Sequence, residues 1–317
     1  MAEFQLLATT RYDPFLKSLQ WNNANDGVDP SAFFLLPMHF TRLVSAAQRH
    51  GWADSVGNRP SNSDGKDGHG HPEEWLKYDV LKVACVDAVW EQQSALQKEE
   101  RATAAFRVRI TVSNDSQIGV TATRLPVPFT FDPTIVAQFR PSPRSLSSSY
   151  SEVVVQEVDG LRTKPLSDPR TIVKVYVDSE PTTRSLFTET KTTLRDVYNH
   201  AKSRVSSRVD AGVAAGDWDV LLYGTSIGNN ASDTESGKET IMETSIFNIA
   251  FFRSSRWLTP SSGQTGCLPG IMRRFLLESE LIEEDHDREL TKNSVHADEC
   301  VLLFNGVQGC RLGTICA

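Results

Sequence analysis

A chain of 317 residues with 39% hydrophobic and 23% charged side chains has the makeup of an ordinary globular protein, and its length has room for two packed lobes. The formal charge of −7 argues against a general nucleic-acid binder or a protein held on an anionic membrane surface, and no apolar run approaches the roughly 18 residues a spanning helix needs. Cysteines at 85, 267, 300, 310 and 316 form no C-x-x-C pair and leave an odd count; with no basic, apolar leader in the opening residues, they read as reduced thiols of a cytoplasmic protein.

Along the chain, "FQLLATTRYDP" predicts a short strand closed by an Asp13-Pro14 turn. In "FFLLPMHFTRLVSAAQRHGW", Phe40, Leu43, Val44 and Ala47 recur at helical spacing, and Gly51 is the expected stop. The polar stretch 53–71 is expected to be an exposed loop. "HPEEWLKYDVLKVACVDAVWEQQSALQ" predicts a second amphipathic helix, with Pro72 and two acids at its favourable end. "AAFRVRITVSNDSQIGVTATRLP" alternates apolar and polar residues on both sides of "SNDSQ", the pattern of a hairpin. Residues 138–170 are rich in Pro and Ser and are expected to connect a lobe over 1–137 to a larger one over 171–317.

The second half opens with a strand in "TIVKVYVDS", then the loop "EPTTRSLFTETK" and a helix from Thr192 towards Ala214. "DVLLYG" is a buried strand, "SIGNNASDTESGKET" a low-complexity loop, and "IMETSIFNIAFFRSSRWLTP" a set of strands turning at Ser254-Ser255. A Gly-Pro-Gly turn feeds the helix in "GCLPGIMRRFLLESELI", and "ECVLLFNGVQGCRLGTI" supplies a last strand and a tight turn. Without a regular βαβ beat, the order fits an α+β or irregular α/β fold rather than a doubly wound sheet.

Several residues carry chemistry, each beside a plainer reading. Lys191 in "TETKTTLRDVY" stands where strand-like residues give way to helix, with Thr192 and Thr193 available as caps. A reactive lysine must be partly desolvated, whereas a solvated one needs no particular neighbours. Glu243 in "METSIFN" precedes alternating apolar positions; a buried acid there calls for a compensating cation, and an exposed one is a strand-end charge. Gly270 opens a helix whose first amides, from Ile271 and Met272, lack intrahelical partners and could cradle a phosphate or simply meet water. Arg42 in "HFTRLVSAA" could reach an anion or form a surface salt bridge. His69 and His71 in "GHGHPEEW" lack a complete ligand set, so no metal is expected. The late cysteines of "GCRLGTICA" have no nearby base.

In this order the motifs resemble the fold type IV pyridoxal-phosphate enzymes, the class IV aminotransferase family. The likeness runs from "LLATTRYDP" to "FNGVQGCRLG". "FTETKTTLRDVY", "SGQTGCLPGIMRRFLLE" and "LLFNGVQGCRLG" look most like the fungal aminodeoxychorismate lyase-like branch. The resemblance implies a two-lobed, D-amino-acid aminotransferase-like fold, with a small N-terminal α+β lobe and a larger lobe built on a barrel-like sheet. It also implies pyridoxal 5'-phosphate as cofactor, a homodimer, and a small-molecule amine substrate. On it, Lys191 is the cofactor-linked and catalytic lysine, and Glu243 faces the pyridine nitrogen. Arg42 grips the phosphate with the Ile271 and Met272 amides, and Asn305, or a neighbour in "FNGV", lies at a further phosphate or substrate contact. Thr9 and Arg11 stand in place of the family's "F-E-T-x-R" motif. Arg11, Arg195 and Arg253 are candidates by position for the two carboxylates of 4-amino-4-deoxychorismate, which the lyase reaction would convert to 4-aminobenzoate and pyruvate. A transaminase on the same fold, and a cofactor-free binding protein, are the competing expectations.

Overall fold

The computed structural model describes residues 3–23, 30–52, 76–141, 172–225 and 238–316. Their contacts divide into two units: one takes residues up to Asp132 together with Thr190–Leu194, the other the described residues from Pro133 to Glu189 and from Arg195 onward. The expected loops at 53–71 and 225–239 and the connection at 138–170 fall wholly or largely outside the described residues.

In the first unit, β1 (Leu6–Tyr12) is the edge of a three-stranded antiparallel sheet. Helix α1 (Leu36–Arg49) is stopped at Gly51, whose φ of +68° suits glycine. Helix α2 (Tyr78–Ser94) follows, and the hairpin of β2 (Phe106–Val112) and β3 (Ile118–Arg124) turns where the alternation predicts. Successive strand side chains point to opposite faces. Leu6 and Ala8 of β1 and Val108 and Ile110 of β2 therefore meet Leu36 and Leu43 of α1 and Leu81 and Cys85 of α2 in one core.

Two expectations for α2 change. Pro72 and the two acids lie outside the described residues; the helix begins at Tyr78, after an extended Lys77, with Asp79 in its first turn. Nor is it amphipathic in the simple sense. Leu81, Cys85 and Val89 are buried, yet Val80, Val83, Val86 and Trp90 form a second apolar stripe that is exposed, Trp90 by 68%.

On the other face of β1, Arg11 is buried rather than reaching outward. Its Nε donates to Asp13 Oδ2 at 2.9 Å, its Nη2 donates to the Val127 carbonyl at 2.6 Å, and its guanidinium lies 3.8 Å from the Phe129 ring centroid. Asp13 also accepts from the Phe15 and Phe129 amides at 3.1 and 2.8 Å.

The second unit holds one eight-stranded mixed sheet. In chain order it contains β4 (Val173–Val177), helix α3 (Asp196–Val205), β5 (Trp218–Thr225), β6 (Glu239–Thr244), β7 (Asn248–Arg253) and β8 (Arg256–Pro260). Helix α4 (Ile271–Glu278), β9 (Glu283–Asp285), β10 (Cys300–Asn305) and β11 (Gly309–Cys316) complete it. The strand order is β6-β5-β4-β11-β10-β7-β8-β9. Past its two ends the sheet curls on itself: Thr240 of β6 bridges to Thr291, and the Ile241 amide donates to the Leu290 carbonyl at 3.0 Å. Val175, Leu221, Ile249, Phe251, Val301 and Leu303 fill one side. Ala201 and Val205 of α3 cover Val220, Leu222 and Met242 on the other. With both faces covered, β5 is buried continuously from Asp219 to Gly224.

The helix expected from Thr192 to Ala214 is shorter at both ends, running only from Asp196 to Val205 before a 3-10 turn to Arg208. At its start, Thr192 and Thr193 are not caps, because their backbone is spent on pairing with β1: Leu6 bridges Thr192, and the Thr193 amide donates to the Gln5 carbonyl at 2.9 Å.

Replacing Asp13 by alanine removes the acceptor of three donors and leaves the Arg11 charge buried. The expected loss is about 3–5 kcal/mol in urea unfolding; a loss below about 1 kcal/mol would mean that Arg11 is solvated.

Candidate functional site

In the first unit, the lysine segment rides on the edge of β1. The Leu7 amide donates to the Lys191 carbonyl at 2.8 Å, and the Gln5 amide to Thr193 Oγ1 at 3.0 Å. Threonine is at home in such an extended run, being β-branched. The alternation shows in burial: Thr190 and Thr192 are each 3% exposed, while Lys191 between them is half-buried. His50, just after α1, shares a hydrogen bond of 2.8 Å between its Nε2 and Thr190 Oγ1, with roles set by the tautomer. Arg42 is half-buried on α1. One turn before it, His39 is 1% exposed, and burial, then Arg42, then Lys191 hold its imidazole well below the ordinary histidine range. Thr9 is half-buried in mid-β1, on the face away from the helices.

In the second unit, Glu243 lies one residue before the end of β6 and is only 4% exposed. It closes a strand rather than opening one. Tyr198 of α3 donates its hydroxyl to Glu243 Oε1 at 2.9 Å, and Asn248, the first residue of β7, donates its amide to Oε2 at 3.2 Å. Burial first, then the Glu243 carboxylate, push the Tyr198 phenol well above its usual value, so it stays a donor. The Arg195 guanidinium lies 4.8 Å from the Tyr198 ring centroid, and its Nη2 donates to the Ser245 carbonyl at 2.7 Å.

The turn that follows Glu243 is held by Asp219, which is wholly buried. Its carboxylate accepts from the Thr244 hydroxyl at 2.6 Å, the Ile246 amide at 3.1 Å and the Ser245 hydroxyl. Lys202 Nζ stands 4.0 Å away. Asn305 Nδ2 donates to the Ile246 carbonyl at 3.3 Å, while its Oδ1 accepts from the Val307 and Gln308 amides.

Asn248 reaches a second feature. Its amide also donates to the Leu268 carbonyl at 2.8 Å, and its Oδ1 lies so near Gly270 that a Cβ there would overlap it. Gly270 caps α4, whose first amides belong to Ile271 and Met272. Backbone N–H groups at that position have no acceptor within the helix and favour an anion. A buried carboxylate with an oriented pair of donors, beside a helix start stripped of Cβ, fits a ring with a protonatable nitrogen and a phosphate tail.

Thus Glu243, Arg195, Asn305 and the Ile271-Met272 turn belong to one hydrogen-bonded neighbourhood or its immediate flank, and Lys191 with Arg42 to another in the first unit. Arg253 stands apart: it ends β7 five residues beyond Asn248, about 17 Å at ordinary strand rise, and is tied to Glu299 and the Ser294 carbonyl. Sequence reading missed Tyr198, Asp219, Asn248 and the buried His39; Tyr198 meets Glu243 across 45 residues, Asp219 meets Thr244 and Ile246 across 25 and 27, and Asn248 joins Glu243 to Leu268, 20 residues beyond it. Among the described residues, no group of three or more His, Cys, Asp or Glu could hold a metal ion. His69 and His71 lie outside them. No described helix is long and apolar enough to cross a membrane.

A sheet curled in this way, with a small α+β unit, is the fold type IV architecture. A fold IV transaminase from Curtobacterium pusillum superposes with a TM-score of 0.54 at 11% identity, covering 98% of this chain and 79% of that one. A hypothetical aminotransferase from Mycobacterium tuberculosis, in its alpha-ketoglutarate and PMP bound form, gives 0.52 at 13% identity, covering 98% and 81%. Residues 27–312 match the family model for amino-transferase class IV, and the chain belongs to that family. It is also 30% identical over 242 residues to aminodeoxychorismate lyase of Saccharomyces cerevisiae, an alignment covering 74% of this chain and 58% of that relative. The chain therefore spans less than two-thirds of the relative's length.

Burial pushes the Cys85, Cys267 and Cys300 thiols up to about 12, so at pH 8 only on the order of 10⁻⁴ of each is thiolate. Alkylation of the native protein at pH 8 should spare these three and label them once urea is added; rapid native labelling of Cys267 would show that its site opens. Gly270→Ala should cost about 1–3 kcal/mol by forcing Asn248 aside. The cost should shrink in an Asn248→Ala background, and equal costs in both would deny the contact.

Proposed function

We propose that this chain is a pyridoxal-phosphate-dependent lyase that converts 4-amino-4-deoxychorismate to 4-aminobenzoate and pyruvate, serving folate precursor synthesis as a cytoplasmic homodimer. The observation that carries the reading is the buried Glu243 carboxylate held by Tyr198 and Asn248, in a chain 30% identical to the yeast lyase.

When bound, the cofactor supplies an electron sink for the carbon that bears the substrate's amine. Lys191 would anchor it and, once released, take the proton from that ring carbon with its Nζ as the carbon–oxygen bond to enolpyruvate breaks. A proton delivered to enolpyruvate then yields pyruvate. Glu243 would keep a proton on the ring nitrogen, its own orientation fixed by the two donors. Arg42 and the Ile271 and Met272 amides would hold the phosphate.

Transamination remains the second reading, because the family model is that of aminotransferases and the C. pusillum relative is a transaminase. It would use the same Lys191 and Glu243. The two part in their products. Purified protein given 4-amino-4-deoxychorismate should release 4-aminobenzoate and pyruvate in equal amounts; cofactor binding without either product would sink the lyase reading. Stoichiometric conversion of the cofactor to its pyridoxamine form by an amino donor alone would favour the transaminase. Lys191→Ala should stay folded by circular dichroism and lose about 10²–10⁴-fold or more in turnover, and unchanged turnover would remove Lys191 from the chemistry.

A further inference from the structure

Asn248 touches both halves of the second unit's candidate site with one side-chain amide. Its Nδ2 donates to Glu243 Oε2 at 3.2 Å and to the Leu268 carbonyl at 2.8 Å, so both hydrogens of a single NH2 group are engaged. Its Oδ1 fills the space beside Gly270, where a Cβ would overlap it. The Leu268 carbonyl also accepts from the Gly270 amide at 2.8 Å, so the turn that Asn248 grips leads directly into α4.

The backbone of Asn248 is held from another side. It opens β7 and lies opposite Phe304 in the pairing of β7 with β10. A carboxamide is planar, and the two N–H bonds leave its nitrogen at a fixed angle. A shift of Glu243 that drags the amide must therefore disturb its bond to Leu268 and its packing on Gly270. A shift of the turn disturbs the bond to Glu243 in the same way. On the cofactor reading above, the two features so joined meet opposite ends of one ligand. Glu243 meets the ring nitrogen, and the Ile271 and Met272 amides meet the phosphate.

We propose that Asn248 is a positioning residue that sets the span between these two anchors and couples them, so that a ligand filling one raises the affinity of the other. Fixing one anchor fixes the other in advance, which lowers the cost of ordering it. The proposal rests on the cofactor reading and makes no use of which reaction follows.

Pyridoxine phosphate and pyridoxine carry the ring with and without the phosphate, and neither has an aldehyde to react with an amine. With the analogues of each in which carbon replaces the ring nitrogen, they form a cycle of four ligands. Binding would be measured by calorimetry on the wild type, Asn248→Ala and Asn248→Ser, with circular dichroism and thermal melting reporting the fold. In the wild type, removing the ring nitrogen should weaken binding about fivefold more, or beyond, when the phosphate is present than when it is absent. In both variants that ratio should fall to within about twofold of one. A merely structural role would weaken all four ligands by a common factor and keep the wild-type ratio, which would overturn the proposal. A wild-type ratio near one would overturn it too. Should neither variant fold, Gly270→Ala, which pushes the Asn248 side chain away, takes their place with the same expectation. Wild-type protein that binds neither pyridoxine phosphate nor pyridoxal phosphate would defeat the cofactor reading as well, whereas tight binding with independent contributions defeats the coupling alone.

Discussion

The Asp219 carboxylate, wholly buried at the head of β5, gathers the two hydroxyls and one amide of the Thr244-Ser245-Ile246 turn. A desolvated carboxylate is costly unless donors meet it from several sides. Here they come from the turn that must follow Glu243 directly. Pinning those three residues leaves Glu243 little freedom, because its backbone lies in β6 on one side and in the clamped turn on the other. Arg195 and Asn305 reinforce the clamp by donating to the carbonyls of Ser245 and Ile246. The second buried acid is thus located by the first. Its two oxygens then meet Tyr198, from a helix 45 residues earlier, and Asn248, five residues on at the start of the next strand.

The lysine is located by a different device. A side chain on a helix start would swing with that helix, and capping alone would fix it loosely. Bridged to β1 at Leu6 and Thr192, the extended 190–194 segment takes its position from main-chain hydrogen bonds at Lys191 and Thr193, and burial alternates along it. Thr190 and Thr192 go inward, and Lys191 is left on the other side. The threonine run that looks like capping chemistry is strand chemistry. β-Branched residues stabilise an extended edge, and their hydroxyls tie it to Gln5 and His50.

Most strands and two of the longer helices were legible in the sequence because hydrophobic period and turn residues act locally. The hairpin around Ser116, the Ser254-Ser255 turn and the Gly270 cap are cases where local chemistry and final structure agree. What was not legible depended on non-local pairing. Nothing within ten residues of Lys191 says that β1 will claim its backbone, so a helix beginning at Thr192 was the natural local reading. The exposed stripe on α2 hid in the same way, since an apolar helix surface looks like core until its packing is known. For the candidate site, chain order against a known family nominated Lys191, Arg42, Glu243 and the Gly270 turn. It left out the groups that hold Glu243 and its turn, because Tyr198, Asn248 and Asp219 carry no local signature.

The three arginines offered for an anionic substrate differ in what already balances them. Arg11 is buried against Asp13, and Arg253 is paired with Glu299, so each has its charge matched inside its own unit. Arg195 is bonded to a carbonyl and stacked near a neutral phenol. The carbonyl accepts a hydrogen bond and the neutral ring offers a cation–π contact, and neither cancels a charge. Among the described residues no carboxylate forms an ion pair with Arg195, so it keeps a net charge one hydrogen-bond step from Glu243. On the proposed reading, an incoming carboxylate would complete that pair at little reorganisation cost. Recruiting Arg11 would instead require breaking a buried ion pair, which usually costs several kcal/mol. A substrate with two carboxylates would gain from a second cation as well. On the proposed reading, the charge balance among the described residues therefore favours Arg195 over Arg11 and Arg253 for the first.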